Sequence, residues 1–259
     1  MSWYRRFPAA IGAAAAFVTV LNLASCTPAP SSDERRLQEA LKPLQSPGSF
    51  RMVGQFRAPD GATTPFDARL DGHGACKGTV GTAESVLVGQ RVWTRWADDT
   101  LDDAVASLPG GSDTAADPTT PEEEDRAWAA VQMLRGTYMV TNLPGNVAEV
   151  EGIAPVCQVG QLLAGAATSA GTVIDGAAEE RDGERLWPLT KTEGPVKIRV
   201  WIPGQGQPVV RAAEYSVEGG RVFSIRVSEI GEPVTVRPPQ GQQAVTSEQV
   251  LAVLDPKID

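Results

Sequence analysis

Apolar side chains recur at every second residue in two long blocks of this chain, with helical spacing between them. That alternation constrains the fold more than any other feature. In the first block, Ser49–Ala58 puts Phe50, Met52 and Phe56 on one face and Arg51, Gln55 and Arg57 on the other. Pro59-Asp60-Gly61 is a turn, after which Phe66, Ala68 and Leu70 alternate with Asp67, Arg69 and Asp71. Ala75–Gly81, Ser85–Val88 and Arg91–Trp96 read as three further strands. In the second block, Thr172–Asp175 and Arg185–Lys191 are weaker strands. Then Val196, Ile198, Val200 and Ile202 alternate with Lys197, Arg199 and Trp201. Val209–Val217 alternates again, Glu218-Gly219-Gly220 makes a hairpin, and Phe223, Ile225 and Val227 form one more apolar face. Val234–Arg237 reads as a last short strand before Pro238-Pro239. Alternation of this kind means antiparallel strands with one face buried and one wet. The 26 Gly and 20 Pro residues supply the turns.

Helices lead, divide and close these blocks. Ser31-Ser32-Asp33-Glu34 resembles a capping box, followed by Leu37, Ala40, Leu41 and Leu44 at helical spacing. Asp99–Leu108 carries Leu101, Ala104, Val105 and Leu108 on one stripe. Residues 109–120 have no periodicity and are expected to be a mobile loop inside the domain, not a domain boundary. Thr120-Pro121-Glu122-Glu123 opens a helix with a cap, a first-position proline and acids in the first turn; it turns Ala127, Trp128, Val131 and Leu134 inward. Another helix is expected over Pro155–Ala164, and Thr246–Leu254 ends the chain as a short one.

Charge and composition then remove whole classes of function. The 259 residues carry 23 basic and 32 acidic side chains, a net charge of -9, which argues against nucleic acid as a partner. His73 is the single histidine, so histidine metal pairs and most histidine catalysis are excluded; it reads as an exposed turn residue in Asp71-Gly72-His73-Gly74. No Gly-x-Ser-x-Gly elbow is present. Acid pairs at Asp98-Asp99 and Asp102-Asp103, and the run Glu122–Asp125, fall at helix starts, where they oppose the helix dipole.

The first 25 residues have the layout of a secretory signal: Arg5 and Arg6, then an apolar run from Ile11 to Leu21 that is short for a membrane span. Leu23-Ala24-Ser25-Cys26 follows and resembles the lipobox of bacterial lipoproteins. That resemblance implies that Cys26 carries a diacylglyceryl group and becomes the first mature residue. Its acyl chains would hold the protein on the outer side of the cell membrane, since each buried CH₂ contributes about 0.8 kcal/mol. Residues 26–32 would be a tether, and the mature body would carry -11. With Cys26 lipidated, Cys76 and Cys157 remain. In an oxidising compartment such a pair is most simply a disulfide, the alternative being two buried free thiols.

A leading helix, an early meander, central helices and a late meander in an exported lipoprotein resemble the Lol-type lipoprotein carriers, LolA and LolB. More closely, the chain resembles the actinobacterial LppX/LprG-type lipoproteins. The phrase IRVWIPGQGQPVVRAAEYS is similar to that family's strand, turn and returning strand. The segment Ser228–Val236 is similar to its closing phrase. The resemblance covers roughly residues 33–240. It implies an α+β fold: a strongly curved antiparallel sheet, a half-barrel, with helices covering its concave face, all within one domain over 33–259. Gly54, Gly78 and Gly81 are suitable places for such a sheet to bend.

The same resemblance implies an apolar cavity between sheet and helices that holds acyl chains. The bulky inward residues nominated for its lining are Phe50, Met52, Phe56, Phe66, Trp93 and Trp96. Leu134, Val200, Tyr215, Phe223 and Ile225 complete the set. Core packing and cavity lining have the same periodicity, so any one of them is equally at home in a filled core. Burying half of the ~30 CH₂ groups of two palmitate-length tails contributes ~12 kcal/mol before ordering costs. The expected function is therefore non-catalytic: an extracytoplasmic lipoprotein that binds or carries a lipid or lipoprotein acyl group without a cofactor. The alternative is a sensory or protein-interaction module of the same fold without a lipid. An exported hydrolase stands third.

Overall fold

The computed structural model describes residues 31–45, 48–106, 120–143, 152–166, 172–240 and 244–255. The signal segment 1–25, the lipidation site Cys26, most of the tether and the expected loop at 109–119 lie outside these residues.

The first meander forms as its alternation dictates: β1 (Phe50–Arg57), β2 (Thr63–Leu70), β3 (Cys76–Val80), β4 (Ala83–Val88) and β5 (Arg91–Arg95). Helices α2 (Asp98–Ala106) and α3 (Pro121–Leu134) follow, then β6 (Tyr138–Asn142) and helix α4 (Ile153–Gly165). The second meander comprises β7 (Thr172–Asp175), β8 (Glu179–Arg181), β9 (Glu184–Glu193), β10 (Val196–Pro203), β11 (Ala212–Val217) and β12 (Val222–Ser228). Strand β13 (Ala244–Thr246) and helix α5 (Ser247–Leu254) close the chain, and α1 (Ser32–Leu41) opens it.

All these strands belong to one sheet, in the order β13-β6-β5-β4-β3-β2-β1-β12-β11-β10-β9-β7, with β8 beside β9. Every pairing is antiparallel except β13 with β6. The two meanders meet where β1 pairs β12, with Met52 opposite Val227 and Phe56 opposite Phe223. The sheet does not close, because its path ends at β13 and β7.

It does curve. Helix α1 packs on β7, α4 packs on β2, β3 and β4, and α4 touches the 3₁₀ turn Lys42–Leu44 that continues α1. Strands β4 and β7 are eight spacings apart, about 38 Å across a flat sheet. Two adjoining helices, each about 10 Å wide, bridge them only if the sheet bends. One hydrophobic core accordingly joins Leu37 and Leu41 of α1, Val156 and Leu163 of α4, and inward residues from β1 through β12. Gly54 lets β1 and β12 approach closely: a side chain there would stand 2.0 Å from the Ser224 carbonyl oxygen. Gly81 instead makes the β3–β4 turn, at φ +59°. The architecture is thus the α+β half-barrel that the LolA- and LppX-type resemblance implied.

The caps form as read. Ser31 Oγ accepts the Glu34 N–H at 3.1 Å while the Glu34 carboxylate accepts the Ser31 N–H at 2.7 Å. Thr120 with Glu123, and Thr246 with Gln249, repeat the reciprocal pattern.

Three expectations are corrected. Val234–Arg237 is not a strand. Pro233, Pro238 and Pro239 flank it and cannot donate to a ladder, and the segment lies across the outer face, where Lys77 Nζ donates to the Thr235 carbonyl at 3.1 Å. Three short strands, β6, β8 and β13, occur where none was expected. Finally, the helices do not all cover the concave face. Leu101 and Val105 of α2 pack with Ala127 and Val131 of α3 in a second, separate core, and α5 packs on α3.

Candidate acyl-binding clefts beside helix α4

Helix α4 is the element that shapes the interior. Cys157, fully buried on it, is bonded to Cys76 on β3, with their Cα atoms 6.0 Å apart. The pair is a disulfide, not two free thiols. One turn on, Gly160 lets the helix sit close to β1 and β2. A methyl there would stand 2.6 Å from Leu70 Cδ2 and 3.0 Å from Met52 Cε. At the helix C-terminus, Lys191 of β9 donates from Nζ to the Ala166 carbonyl at 2.9 Å. Lys191 is 5% exposed, and burial pulls its pKa below the usual lysine range; the helix-end carbonyl faces its ammonium. Disulfide, glycine contact and lysine cap hold α4 against the sheet along its length.

Space remains on both sides of the helix. The larger cleft has a volume of about 440 Å³. Its helical wall is the stripe Pro155, Gln158, Val159 and Leu162; its sheet wall is Tyr215 and Val217 of β11 with Phe223 of β12. Pro59, Gly220 and Arg221, from two hairpin turns, form its rim. The smaller cleft, about 300 Å³, lies by Leu44, Phe50, Leu70 and the other side of α4 at Gly160 and Gln161. It sits at the Phe50 end of β1, whereas the larger one sits beyond the Arg57 end. Met52 and Leu70 against Gly160 form the partition between them.

The aromatic floor of the larger cleft is cross-linked by ring contacts. Phe223 lies 5.4 Å from Phe56, 6.4 Å from Phe66 and 6.2 Å from Tyr215, centroid to centroid. Such tilted and edge-on pairs stiffen a wall beyond their buried area. Leu162 at the lip is 40% exposed, on the side of α4 that also exposes Gln158 and Gln161.

The nominated lining residues divide into three groups. Tyr215 and Phe223 face the larger cleft, and Phe50 faces the smaller. Met52, Phe56, Phe66, Val200 and Ile225 face inward but are packed into the core, each under 9% exposed. Trp93, Trp96 and Leu134 lie elsewhere. Val92 points into the main core, so Trp93 points to the outer face, while Trp96 and Leu134 pack on the second core. Sequence reading missed Gln158, Leu162, Val217 and Arg221 as cleft residues. The apolar stripe of α4 was visible; its standing between two open spaces was not.

The outer face carries ions. Arg51 pairs with Asp67 and with Glu229, the latter at 2.9 Å, and Arg69 pairs with Glu229 at 2.8 Å. Arg69 and then Arg51 hold the Glu229 carboxyl below the usual carboxylate range; Arg51 does the same to Asp67. His73 is exposed, and its backbone N–H donates to Asp71 Oδ1 at 2.8 Å. Among the described residues, no group of three His, Cys, Asp or Glu side chains stands where it could hold a metal ion.

No protein-family model matches the chain, and a search of curated proteins finds no match. Solved structures do resemble it. LprF from Mycobacterium bovis is 12% identical with a TM-score of 0.47, over 83% of this chain and 100% of that one. The Mycobacterium tuberculosis lipoprotein LppX is 16% identical with a TM-score of 0.43, over 79% and 98%. The LolA superfamily protein NE2245 from Nitrosomonas europaea is 11% identical with a TM-score of 0.23, over 81% and 96%. These are likenesses of backbone path alone.

Proposed function

We propose that this chain is an extracytoplasmic lipoprotein, anchored in the cell membrane through Cys26, whose single domain binds an acyl chain in the larger cleft. The observation that carries the reading is the cleft itself: an apolar, aromatic-floored space of about 440 Å³ under a helix fixed by a disulfide. That volume lies within the ~300–1,000 Å³ of small-molecule sites. An acyl chain needs no polar partner there, since each methylene buried contributes about 0.8 kcal/mol. The occupant is the acyl part of a lipid or of a lipoprotein, held and released without covalent chemistry. A cleft of this size accommodates one chain at a time.

Lipids extracted from the purified chain and identified by mass spectrometry test the reading. A stoichiometric acyl-bearing species is expected, and Leu162→Asp should abolish it while leaving the fold intact, because Leu162 is half-exposed at the lip. Wild-type protein that stays lipid-free, and takes up no fatty acid when it is offered, overturns the reading. The tightly packed interior around Met52, Phe66 and Val200 favours the second function in that case: a module of the same fold that docks a protein.

A further inference from the structure

The larger cleft contains polar groups that its apolar walls do not account for. Arg221 is the charged residue among those that line it. It is half-buried at the rim, with its guanidinium carbon 5.7 Å from the centroid of the Phe56 ring. It precedes Phe223 by two residues, so both side chains point to the same face of the sheet. Tyr215 stands opposite Phe223 on β11. Arg221 is the turn residue just before β12, and it and Tyr215 both line the larger cleft. The Tyr215 ring is pinned edge-on to Phe223, and its hydroxyl has no hydrogen-bond partner among the described residues. Burial alone raises its pKa. Gln158 adds an amide from α4 on the opposite wall. A guanidinium, a phenol and an amide thus share a space whose remaining lining is carbon.

We propose that Arg221 and the Tyr215 hydroxyl bind the anionic headgroup oxygens of the amphiphile, a carboxylate or a phosphate ester, while its chain lies along Val159, Leu162 and Val217. This rests on the acyl-binding reading above and adds a ligand class to it. Arginine presents its donors in a planar fork that matches two oxygens of either group. A neutral alcohol head offers the Tyr215 hydroxyl only an uncharged, weaker acceptor and gives the guanidinium no charge to pair with. The cation is local, since the chain as a whole carries -9 and repels anions at long range. Selectivity for an anion is therefore a property of this rim and not of the protein's overall field.

The test is equilibrium binding of palmitic acid, hexadecanol and palmitoyl-lysophosphatidylglycerol to the purified chain at pH 8. The acid should bind about tenfold or more tighter than the alcohol. Arg221→Gln should remove that preference by weakening the acid alone, and Arg221→Lys should retain part of it. Tyr215→Phe should cost the acid about threefold. An unchanged denaturant midpoint shows that each variant is folded. Whether palmitate or the lysophospholipid binds tighter assigns the head as carboxylate or phosphate. Equal affinity of the wild type for acid and alcohol, or a parallel loss of both in Arg221→Gln, overturns this inference and leaves acyl binding standing. If none of the three binds, acyl binding itself falls and the headgroup assignment falls with it.

Discussion

The core beneath α4 and the core between α2 and α3 are built from the same kinds of residue and are held in different ways. Beneath α4, inward side chains from most of the sheet meet two helices, a disulfide ties helix to strand, and a buried lysine caps the helix end. Between α2 and α3, Leu101, Val105, Ala127 and Val131 pack with Trp96 and Leu134, and Arg135 pairs with Asp102. The first core is large, cross-linked and set beside open clefts. The second is small and lies outside that core. A small contact set of this kind opens at low free energy without unfolding the rest, while a cross-linked one opens only with the whole. The contrast places the larger cleft on the rigid part of the molecule.

Removing the cross-link strikes the contrast hardest. Cys76 and Cys157 are 81 residues apart, and closing a loop of that length contributes about 4 kcal/mol by chain entropy. Cys76→Ala with Cys157→Ala should lower the denaturant midpoint of global unfolding accordingly. Amide exchange in α2 and α3 should be unchanged at the same time. Equal deprotection of both regions would show a single cooperative unit and end the distinction.

A matched pair of leucine truncations sharpens it. Leu163 is fully buried on α4, and Leu101 is 5% exposed on α2. Leu163→Ala should cost about 3 kcal/mol of global stability, within the usual range for a buried leucine. Leu101→Ala removes the same atoms, yet its effect should appear as faster exchange in α2 and α3 with only a small shift of the global midpoint. A smaller effect still is expected from Gly160→Ala. The atoms it meets are the ends of the Leu70 and Met52 side chains, which can give way. The variant should fold with near-wild-type stability and a measurably displaced partition, read as altered uptake of palmitic acid.

These two regions also mark where the sequence was legible. Alternation in Phe50–Met52–Phe56 and Phe66–Ala68–Leu70 located strands and their inward faces, because a half-buried antiparallel strand leaves that imprint directly. The capping patterns at Ser31, Thr120 and Thr246 located helix starts to the residue, because the cap chemistry is local. Helical spacing in Leu101–Val105 and Ala127–Val131 showed that a face is buried but not against what. Those helices were expected over the concave sheet and instead bury one another. Trp96 and Leu134 moved with them. Strands β6 and β13 are too short to carry a period, and β13 is specified by its parallel partner and not by its own three residues. Arg221 is illegible for a similar reason: an arginine after a glycine hairpin looks like any solvated turn residue until the fold sets it on the rim of a cleft that Tyr215 also lines.

Acid should separate the two regions by a weaker and independent route. Asp67, on the outer face of the main sheet, is held below its usual pKa first by its hydrogen bond with Arg51. Glu123, in the cap of α3, is held below its own by the Thr120 backbone N–H, which donates to it at 2.7 Å. A carboxyl whose folded value is depressed contributes stability that is fully present above its unfolded value, about 4 for both residue types. That contribution is lost as pH falls through the folded value. Between pH 6 and pH 3 the global midpoint should therefore decline, and Asp67→Asn should flatten that decline, because the neutral amide has no proton to gain. Glu123→Gln should leave the global decline as it is and flatten only the acid-induced loss of exchange protection in α3. Both side chains are substantially exposed, so solvent keeps each effect small. The two variants are read by slope against pH and not by the size of the shift at neutrality. If Glu123→Gln flattened the global slope as Asp67→Asn does, the α3 cap would be part of the same cooperative structure as the sheet, and the second core would no longer count as separate.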